Sequence, residues 1–232
     1  MNVKPYPSPA AAVPGHAPAR IVPFAAYMAF IAIADVLPMA DISAADLRWL
    51  YAAKVAVVVA LLWAYRRQYV ELARFDVRAR GAAAAIAVGL LVFVLWINLD
   101  AGWMQFGVSA GFDPRDGGGA IDWRLALIRI AGAALVVPIM EELFWRSFLL
   151  RWLESADFLN VAPARVGLRA LAITALLFGI EHQLWFAGIV AGLAYSWLYM
   201  RSGSLWAAVM AHGVTNGALG IWVLATGNWH YW

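Results

Sequence analysis

The sequence predicts an all-α, polytopic membrane protein, a bundle of about seven transmembrane helices with eight as the alternative. Of the 232 residues, 64% are hydrophobic and only 13% are charged, about half the charged share of an ordinary soluble domain. The mean hydropathy is +0.73, and apolar runs near the spanning length of about 20 residues recur along the chain. Residues 21–232 are therefore expected to form one helical domain, without a second folded unit.

Residues 1–20 precede the first apolar run and are expected to form a disordered tail. Prolines recur there among small residues, a composition that disfavours a helix and cannot bury a core. The segment also lacks the apolar stretch of a signal peptide. The prolines are Pro5, Pro7, Pro9, Pro14 and Pro18.

The apolar runs give the expected spans in chain order. The fourth run, Trp123–Trp152, is too long for one straight span, and Pro138 within it predicts a kink or a helix restart. The fifth and sixth runs are shorter and glycine-rich, which is typical of helices packed inside a bundle. The seven runs cover residues 21–40, 47–65, 81–99, 123–152, 168–182, 185–200 and 205–225.

Basic residues predict the orientation, because the cytoplasmic loops of membrane proteins are enriched in Lys and Arg. The loop after the second run carries five arginines against Glu71 and Asp76, so it is expected to be cytoplasmic. Alternating spans then place the other segments. The inside set is the N-terminus, residues 151–169 and Arg201; the outside set is residues 41–46, residues 100–119 and the C-terminus.

Charge and cysteine content exclude several classes of function. The net charge is +3 and the isoelectric point is 9.4, but the basic residues lie between apolar segments and form no patch with aromatic residues. Nucleic acid is therefore not an expected partner, and membrane lipids are. The absence of Cys excludes disulfides, thiolate metal ligands and cysteine nucleophiles. Together with the compact length, these features suggest a bacterial inner-membrane protein.

The first candidate for chemistry is a pair of adjacent glutamates inside the fourth apolar run. Ionisable side chains at membrane depth are expensive and usually functional. Glu142 and Arg146 are four residues apart, so they can pair across one helical turn. Glu141 is rotated by about 100° from its neighbour and has no second cation nearby in sequence, so it is free to act. The alternative for Glu142 and Arg146 is a purely structural ion pair.

Two further pairs lie in the later apolar runs, each at the spacing of one helical turn. Phe178 precedes His182 by four residues and can pack on its imidazole ring. His212 and Asn216 have the same spacing, so both can direct a hydrogen bond at one small target. Taken singly, each pair is also explained by packing, with His212 and Asn216 as polar contacts between glycine-rich helices.

Together and in this order, the elements E-E-x-x-x-R, F-x-x-x-H and H-x-x-x-N resemble the CPBP family of intramembrane proteases, the type II CAAX endopeptidase or Abi-like family. The resemblance covers roughly residues 138–216. Within that family, the chain is most similar to bacterial CAAX-protease-related proteins of exosortase sorting systems. This finer resemblance depends on Pro23 and Phe24 at the start of the first span and on residues 181–183.

The resemblance implies an intramembrane endopeptidase of the glutamate type. It implies that Glu141 and His182 activate a water molecule for attack on a peptide carbonyl. It also implies that His212 and Asn216 stabilise the oxyanion. Three neighbours would hold these groups in place: Glu142, Arg146 and Phe178. The implied substrate is a membrane-tethered peptide or the C-terminal sorting segment of a protein.

A metal-assisted mechanism is the alternative within this class. Glu141, His182 and His212 come from separate apolar runs and could hold Zn²⁺ with an open position for water. The chain lacks the H-E-x-x-H motif of zinc proteases. A mechanism without a metal is therefore preferred.

Two other classes of function stay open. A non-catalytic membrane protein, such as an immunity or sequestering partner, would keep the fold for binding but would need neither both histidines nor both acids. An ion-coupled transporter would also place Glu and His inside the bundle, and Glu141→Gln would then abolish flux although no peptide bond is cut. The protease prediction requires instead that Glu141, His182, His212 and Asn216 converge on one cavity of roughly 300 to 1,000 Å³.

Overall fold

The computed structural model describes residues 16–36, 48–107, 109 and 111–232. In this part of the chain seven helices are joined by turns and short 3₁₀ segments, without a β-strand, so the predicted all-α fold is confirmed. Residues 1–15 of the expected tail and the turn at residues 41–46 lie outside it. The helices are α1 His16–Val36, α2 Leu50–Tyr65, α3 Ala79–Trp96, α4 Trp123–Trp152, α5 Leu168–Ile180, α6 Trp185–Ser202 and α7 Leu205–Thr226.

The seven predicted spans correspond in order to the seven helices. Four of these, α1, α3, α4 and α7, are individually long and apolar enough to cross a membrane. Helix α5 is apolar but has only 13 residues, and it packs along α6 inside the bundle. The protein is therefore a multi-pass helical membrane protein in which some helices are shorter than a full span.

Helix α1 begins at His16, inside the segment expected to be a tail. Pro18 lies in its first turn, where a backbone N–H would have no intrahelical partner, so the proline is tolerated. Arg20 is buried, and its guanidinium contacts Glu71 at 2.5 Å and Ser147 at 2.8 Å. These contacts with distant segments, which sequence spacing does not reveal, hold the start of the helix in place.

Basic loops gather at one end of the bundle, which we call the arginine-rich end. Glu71 joins Arg20 to Arg151, whose Nη2 lies 2.6 Å from Glu71 Oε1. Ser204 donates a hydrogen bond to Asp76, which ties the start of α7 to the same loop. The arginines at this end are Arg20, Arg66, Arg67, Arg74, Arg78, Arg80, Arg151, Arg165, Arg169 and Arg201.

The opposite end, which we call the tryptophan-rich end, contains the α3–α4 connection, the α5–α6 turn at residues 181–184 and residues 227–232. The Tyr231 hydroxyl donates to Asp100 Oδ2 at 2.8 Å, and the Phe106 N–H donates to the Gln183 carbonyl at 2.8 Å. The tryptophans of this end are Trp96, Trp103, Trp123, Trp185, Trp229 and Trp232. The described loops thus divide between the two ends as alternating helices require.

Helix α4 changes its hydrogen-bond register on both sides of the glutamate pair. π-Helical turns run over Gly132–Val136 and Leu143–Leu149, and the Val137 N–H donates to the Gly132 carbonyl, five residues back. In this register the Ala133 carbonyl would accept from residue 138, which is a proline and has no N–H. The helix continues through Pro138, so a change of register takes the place of the expected restart.

Glycines allow α7 to approach both α3 and α4 closely. A Cβ atom at Gly89 of α3 would lie 2.4 Å from the Ala211 carbonyl oxygen of α7. A Cβ atom at Gly213 of α7 would lie 2.8 Å from the Ala134 carbonyl oxygen of α4. Small residues at such interfaces permit backbone contact between membrane helices. The core of the bundle is therefore built around α7.

We expect Gly89→Ala to destabilise the protein, because the added methyl group would overlap a backbone oxygen that no rotamer change can move. Overpacking of this kind costs about 1–3 kcal/mol or more, measurable as a lower midpoint of thermal unfolding in detergent. Gly81→Ala on the same helix is the matched control, since its nearest neighbour is a side-chain atom, Val77 Cγ1, at 3.3 Å. Equal midpoints for the two variants would contradict the close contact.

Candidate active site

The four predicted site residues line one cavity in the interior of the bundle. Glu141 comes from α4, His182 from the α5–α6 turn, and His212 and Asn216 from α7. The cavity has a volume of about 160 Å³, below the range of roughly 300 to 1,000 Å³ expected from the sequence. Its other lining residues are Tyr27, Tyr51, Trp96, Arg129, Ala133, Val137, Phe178, Ala191, Tyr195, Thr215, Leu219, Tyr231 and Trp232. The cavity therefore extends from the glutamate pair to the tryptophan-rich end.

Glu141 forms no ion pair in the described part of the chain. Its side chain is buried, and its Oε2 atom accepts no hydrogen bond there. A buried polar atom without a partner is unfavourable and calls for an explanation. Because Glu141 also faces the cavity, its carboxylate is available to a molecule that enters.

Helix α4 presents a continuous row of side chains to this cavity. Arg129, Ala133, Val137 and Glu141 follow one another in steps of four residues, and all four line it. In a regular α-helix each such step drifts by about 40° around the axis. The π-helical turn at Gly132–Val136 widens the helix and offsets this drift. The register change therefore keeps the row on the cavity side.

Glu142 is fully buried and binds two cationic or polar partners through one oxygen. Its Oε1 lies 3.1 Å from Arg146 Nη1, the pair expected from the spacing of four, and 2.9 Å from His212 Nδ1. The contact with His212 joins residues 70 positions apart, so no local pattern predicted it. Since a carboxylate only accepts, His212 donates through its Nδ1–H and retains Nε2 for the cavity.

Arg146 is also fully buried and links the site to α6. Its Nη2 donates to the Gly192 carbonyl at 3.3 Å, and its guanidinium lies over the Phe178 ring at 4.4 Å from the centroid. Arg146 thus contacts an acid, a carbonyl and an aromatic ring on different elements. Its side chain fixes the positions of these elements around the cavity.

His182 lies just beyond the end of α5 and is oriented by that helix end. Helix α5 ends at Ile180, so the carbonyls of its last turn lack intrahelical partners. His182 Nδ1 lies 2.7 Å from the Phe178 carbonyl and donates to it. The Phe178 and Trp96 rings contact the imidazole, with centroid distances of 4.7 and 5.3 Å. Nε2 is therefore the nitrogen that can accept a hydrogen bond.

Asn216 satisfies the backbone carbonyl that Pro138 leaves without a partner. Its Nδ2 donates to the Ala133 carbonyl at 2.8 Å, which fixes the plane of the carboxamide. A carboxamide nitrogen carries two hydrogens, so one N–H remains for another acceptor. Asn216 can thus donate one hydrogen bond to helix α4 and a second to a molecule in the cavity.

Tyr195 is a site residue that sequence reasoning missed. Its ring stacks on His212 with a centroid distance of 5.0 Å and an interplanar angle of 17°. Its hydroxyl donates to Thr215 Oγ1 at 2.7 Å, and Thr215 donates to the Gly89 carbonyl at 2.8 Å. Nothing in the sequence of α6 distinguishes Tyr195 from its neighbours. Arg129 was also missed, although its four-residue steps to Glu141 could have indicated it.

The metal alternative has no matching geometry in the described residues. No three His, Asp or Glu side chains there, Glu141, His182 and His212 included, lie close enough together to hold a metal ion. The contacts of both imidazole Nδ1 atoms with acceptors are also found around metal-bound histidines, but they orient free imidazoles equally well.

Fold and site define a polytopic membrane protein with a buried acid pair, two histidines and an asparagine around an internal cavity. Residues 123–218, which contain all four candidate residues, match the family of Rce1-like type II CAAX prenyl endopeptidases. This part of the chain is therefore similar to CAAX-type intramembrane proteases, which confirms the resemblance seen in the motifs. No curated protein and no solved structure is significantly similar to the chain.

We expect Glu142→Gln to lower the midpoint of thermal unfolding, because it removes the shared anionic partner of Arg146 and His212. Removing one partner of a buried ion pair costs about 3–5 kcal/mol. Glu141→Gln is the matched control on the adjacent residue. Since Glu141 Oε2 has no partner in the described part of the chain, the midpoint of Glu141→Gln should equal that of the wild type or lie above it. The opposite order of midpoints would contradict the structural role of Glu142.

Proposed function

We propose that the protein is an intramembrane endopeptidase that hydrolyses a peptide bond in a membrane-associated substrate. The convergence of Glu141, His182, His212 and Asn216 on one cavity supports this proposal. Peptide hydrolysis needs a base for water and donors for the oxyanion, held in a site that excludes bulk water. The four side chains supply these groups, and the family match supports the same class of reaction.

Glu141 is the proposed general base. Its carboxylate, whose Oε2 has no partner among the described residues, takes a proton from a water molecule as the water oxygen attacks the peptide carbonyl carbon. His182 accepts a second hydrogen bond from that water through Nε2, because its Nδ1–H is held by the Phe178 carbonyl. The two groups together orient the lone pair of the water toward the carbonyl carbon.

Asn216 and His212 are the proposed oxyanion donors. Asn216 offers its second Nδ2–H, the first being held by Ala133. His212 would offer an Nε2–H in its doubly protonated form, because its Nδ1–H is held by the Glu142 carboxylate. When the C–N bond breaks, the proton held by Glu141 passes to the leaving nitrogen. The products are a carboxylic acid and an amine, and no cofactor is consumed.

We also propose an orientation in a bacterial inner membrane. The arginine-rich end, with the N-terminus, would face the cytoplasm, because basic loops are retained on that side. The cavity, which extends to the tryptophan-rich end, would then open on the extracytoplasmic face. The substrate would be presented from that face, as a membrane-tethered peptide or a C-terminal sorting segment.

Purified protein in liposomes should cleave members of an N-palmitoylated peptide library, with the fragments identified by mass spectrometry. Glu141→Ala, His182→Ala and His212→Ala should each lower kcat at least roughly 100-fold, the size of a lost acid–base group. Glu154→Ala, which changes an exposed acid, is the control and should retain full activity. Undiminished cleavage by Glu141→Ala would overturn the proposed base. Peptide binding by the wild type without any cleavage would favour the non-catalytic alternative.

The orientation can be measured with single cysteines, because the natural chain has none. Gly117→Cys lies in an exposed loop of the tryptophan-rich end, and Ser155→Cys is exposed at the arginine-rich end. In intact cells a membrane-impermeant maleimide should label Gly117→Cys at once and Ser155→Cys only after permeabilisation. The reverse pattern would place the cavity mouth on the cytoplasmic face and reject the proposed orientation.

A further inference from the structure

Arg129 places a positive charge in the cavity wall, between Glu141 and the tryptophan-rich end. It lines the same cavity as Glu141 and precedes it by three four-residue steps along α4. At 1.5 Å per residue the two positions are about 18 Å apart. A peptide bound with its scissile bond at Glu141 and running toward the cavity mouth would therefore pass Arg129.

No carboxylate neutralises Arg129 within the part of the chain that the structure describes. The ion pairs found there involve other residues, and the buried Nε atom of Arg129 has no hydrogen-bond partner. Its guanidinium instead lies over the rings of Tyr51 and Phe112, 4.3 and 5.5 Å from their centroids. The Arg129 side chain is half-buried, and charges withdrawn from water in proteins are normally paired. The guanidinium thus has unused capacity for an anion.

Lys54 places a second basic side chain behind the same part of the wall. It is buried, and its Nζ lies 3.9 Å from the Tyr27 ring centroid and 5.0 Å from that of Tyr51. Both tyrosines line the cavity. Among the described residues Lys54 also forms no ion pair with a carboxylate. The guanidinium of Arg129, with this amine nearby, therefore favours an anionic group over a neutral one.

We propose that Arg129 binds a carboxylate of the substrate, either its C-terminal α-carboxylate or an acidic side chain, and thereby helps to set the position of the cut. The proposal rests on the proposed endopeptidase function. A planar guanidinium can hold a carboxylate through two parallel hydrogen bonds. Because an extended chain advances about 3.3–3.6 Å per residue, a separation of about 18 Å corresponds to about five residues between the scissile bond and the carboxylate.

The carboxylate subsite can be tested by binding alone, in the Glu141→Gln background that lacks the proposed base. The probe is a dansylated pentapeptide of alternating Ala and Leu, titrated into protein in nanodiscs as the free acid and as the C-terminal amide. We expect the acid to bind roughly 10-fold or more tightly than the amide, as for a charge-assisted hydrogen bond. Adding Arg129→Gln should remove this difference. Adding Arg124→Gln, which changes an exposed arginine of the same helix, should preserve it.

A second probe identifies the source of the carboxylate, and a conservative variant with thermal midpoints controls for misfolding. An amide probe with Glu as its last residue should bind as tightly as the free acid if a side chain is the ligand; weak binding assigns the α-carboxylate. Arg129→Lys keeps the charge but loses the two parallel hydrogen bonds, so it should retain part of the preference. The thermal midpoint of each variant checks that it is folded.

Equal binding of the acid, the amide and the Glu-terminated amide, or a preference that survives in folded Arg129→Gln, would overturn the subsite. That result would leave the proposed endopeptidase function intact, because the readout requires no cleavage. Conversely, a wild type that cleaves no peptide would reject the endopeptidase without changing the binding result. A role of Arg129 as a distant countercharge of Glu141 predicts equal effects on acid and amide probes and is excluded by a difference between them.

Discussion

The buried carboxylate of Glu142 is the interaction on which the interior of the bundle depends. Arg146 and His212 are both buried, and one oxygen of Glu142 contacts both, at 3.1 and 2.9 Å. The contact joins α4 to α7, and Arg146 extends it to the Gly192 carbonyl of α6. The adjacent Glu141 is turned by about 100° around the helix axis. It takes no part in these contacts and faces the cavity. Two neighbouring acids therefore serve different purposes because they point in different directions.

The register changes of α4 set where those side chains point. With the π-helical turn at Gly132–Val136, the side chains of Arg129, Ala133, Val137 and Glu141 stay along one cavity wall. Prolines also leave backbone carbonyls available to other elements. The Ala133 carbonyl accepts from Asn216, and the Ala19 carbonyl, which Pro23 cannot reach with an N–H, accepts from the Tyr69 hydroxyl at 2.9 Å. In an apolar environment each such carbonyl needs a partner.

Sequence reasoning was sound where the determinants are local and failed where they are tertiary. Apolar runs gave the seven helices in order, and spacings of four gave the Glu142 contact with Arg146 and the Phe178 contact with His182. The start of α1 at His16 was missed because it depends on Arg20 contacting a loop 51 residues away. The contact between Glu142 and His212 was missed for the same reason. Helical periodicity also assumes one register, so it could not foresee the π-helical turns.

Pro138 and Asn216 illustrate how a site can depend on a backbone defect elsewhere. An N–H at position 138 would compete for the Ala133 carbonyl and release the carboxamide, whereas an apolar residue at position 216 would leave that carbonyl bare. Replacing Pro138 alone or Asn216 alone is therefore expected to be unfavourable, whereas replacing both together need not be. The residues at the two positions therefore constrain each other, although they lie on different helices. The orientation of the Asn216 carboxamide thus depends on the π-helical turn of the neighbouring helix α4.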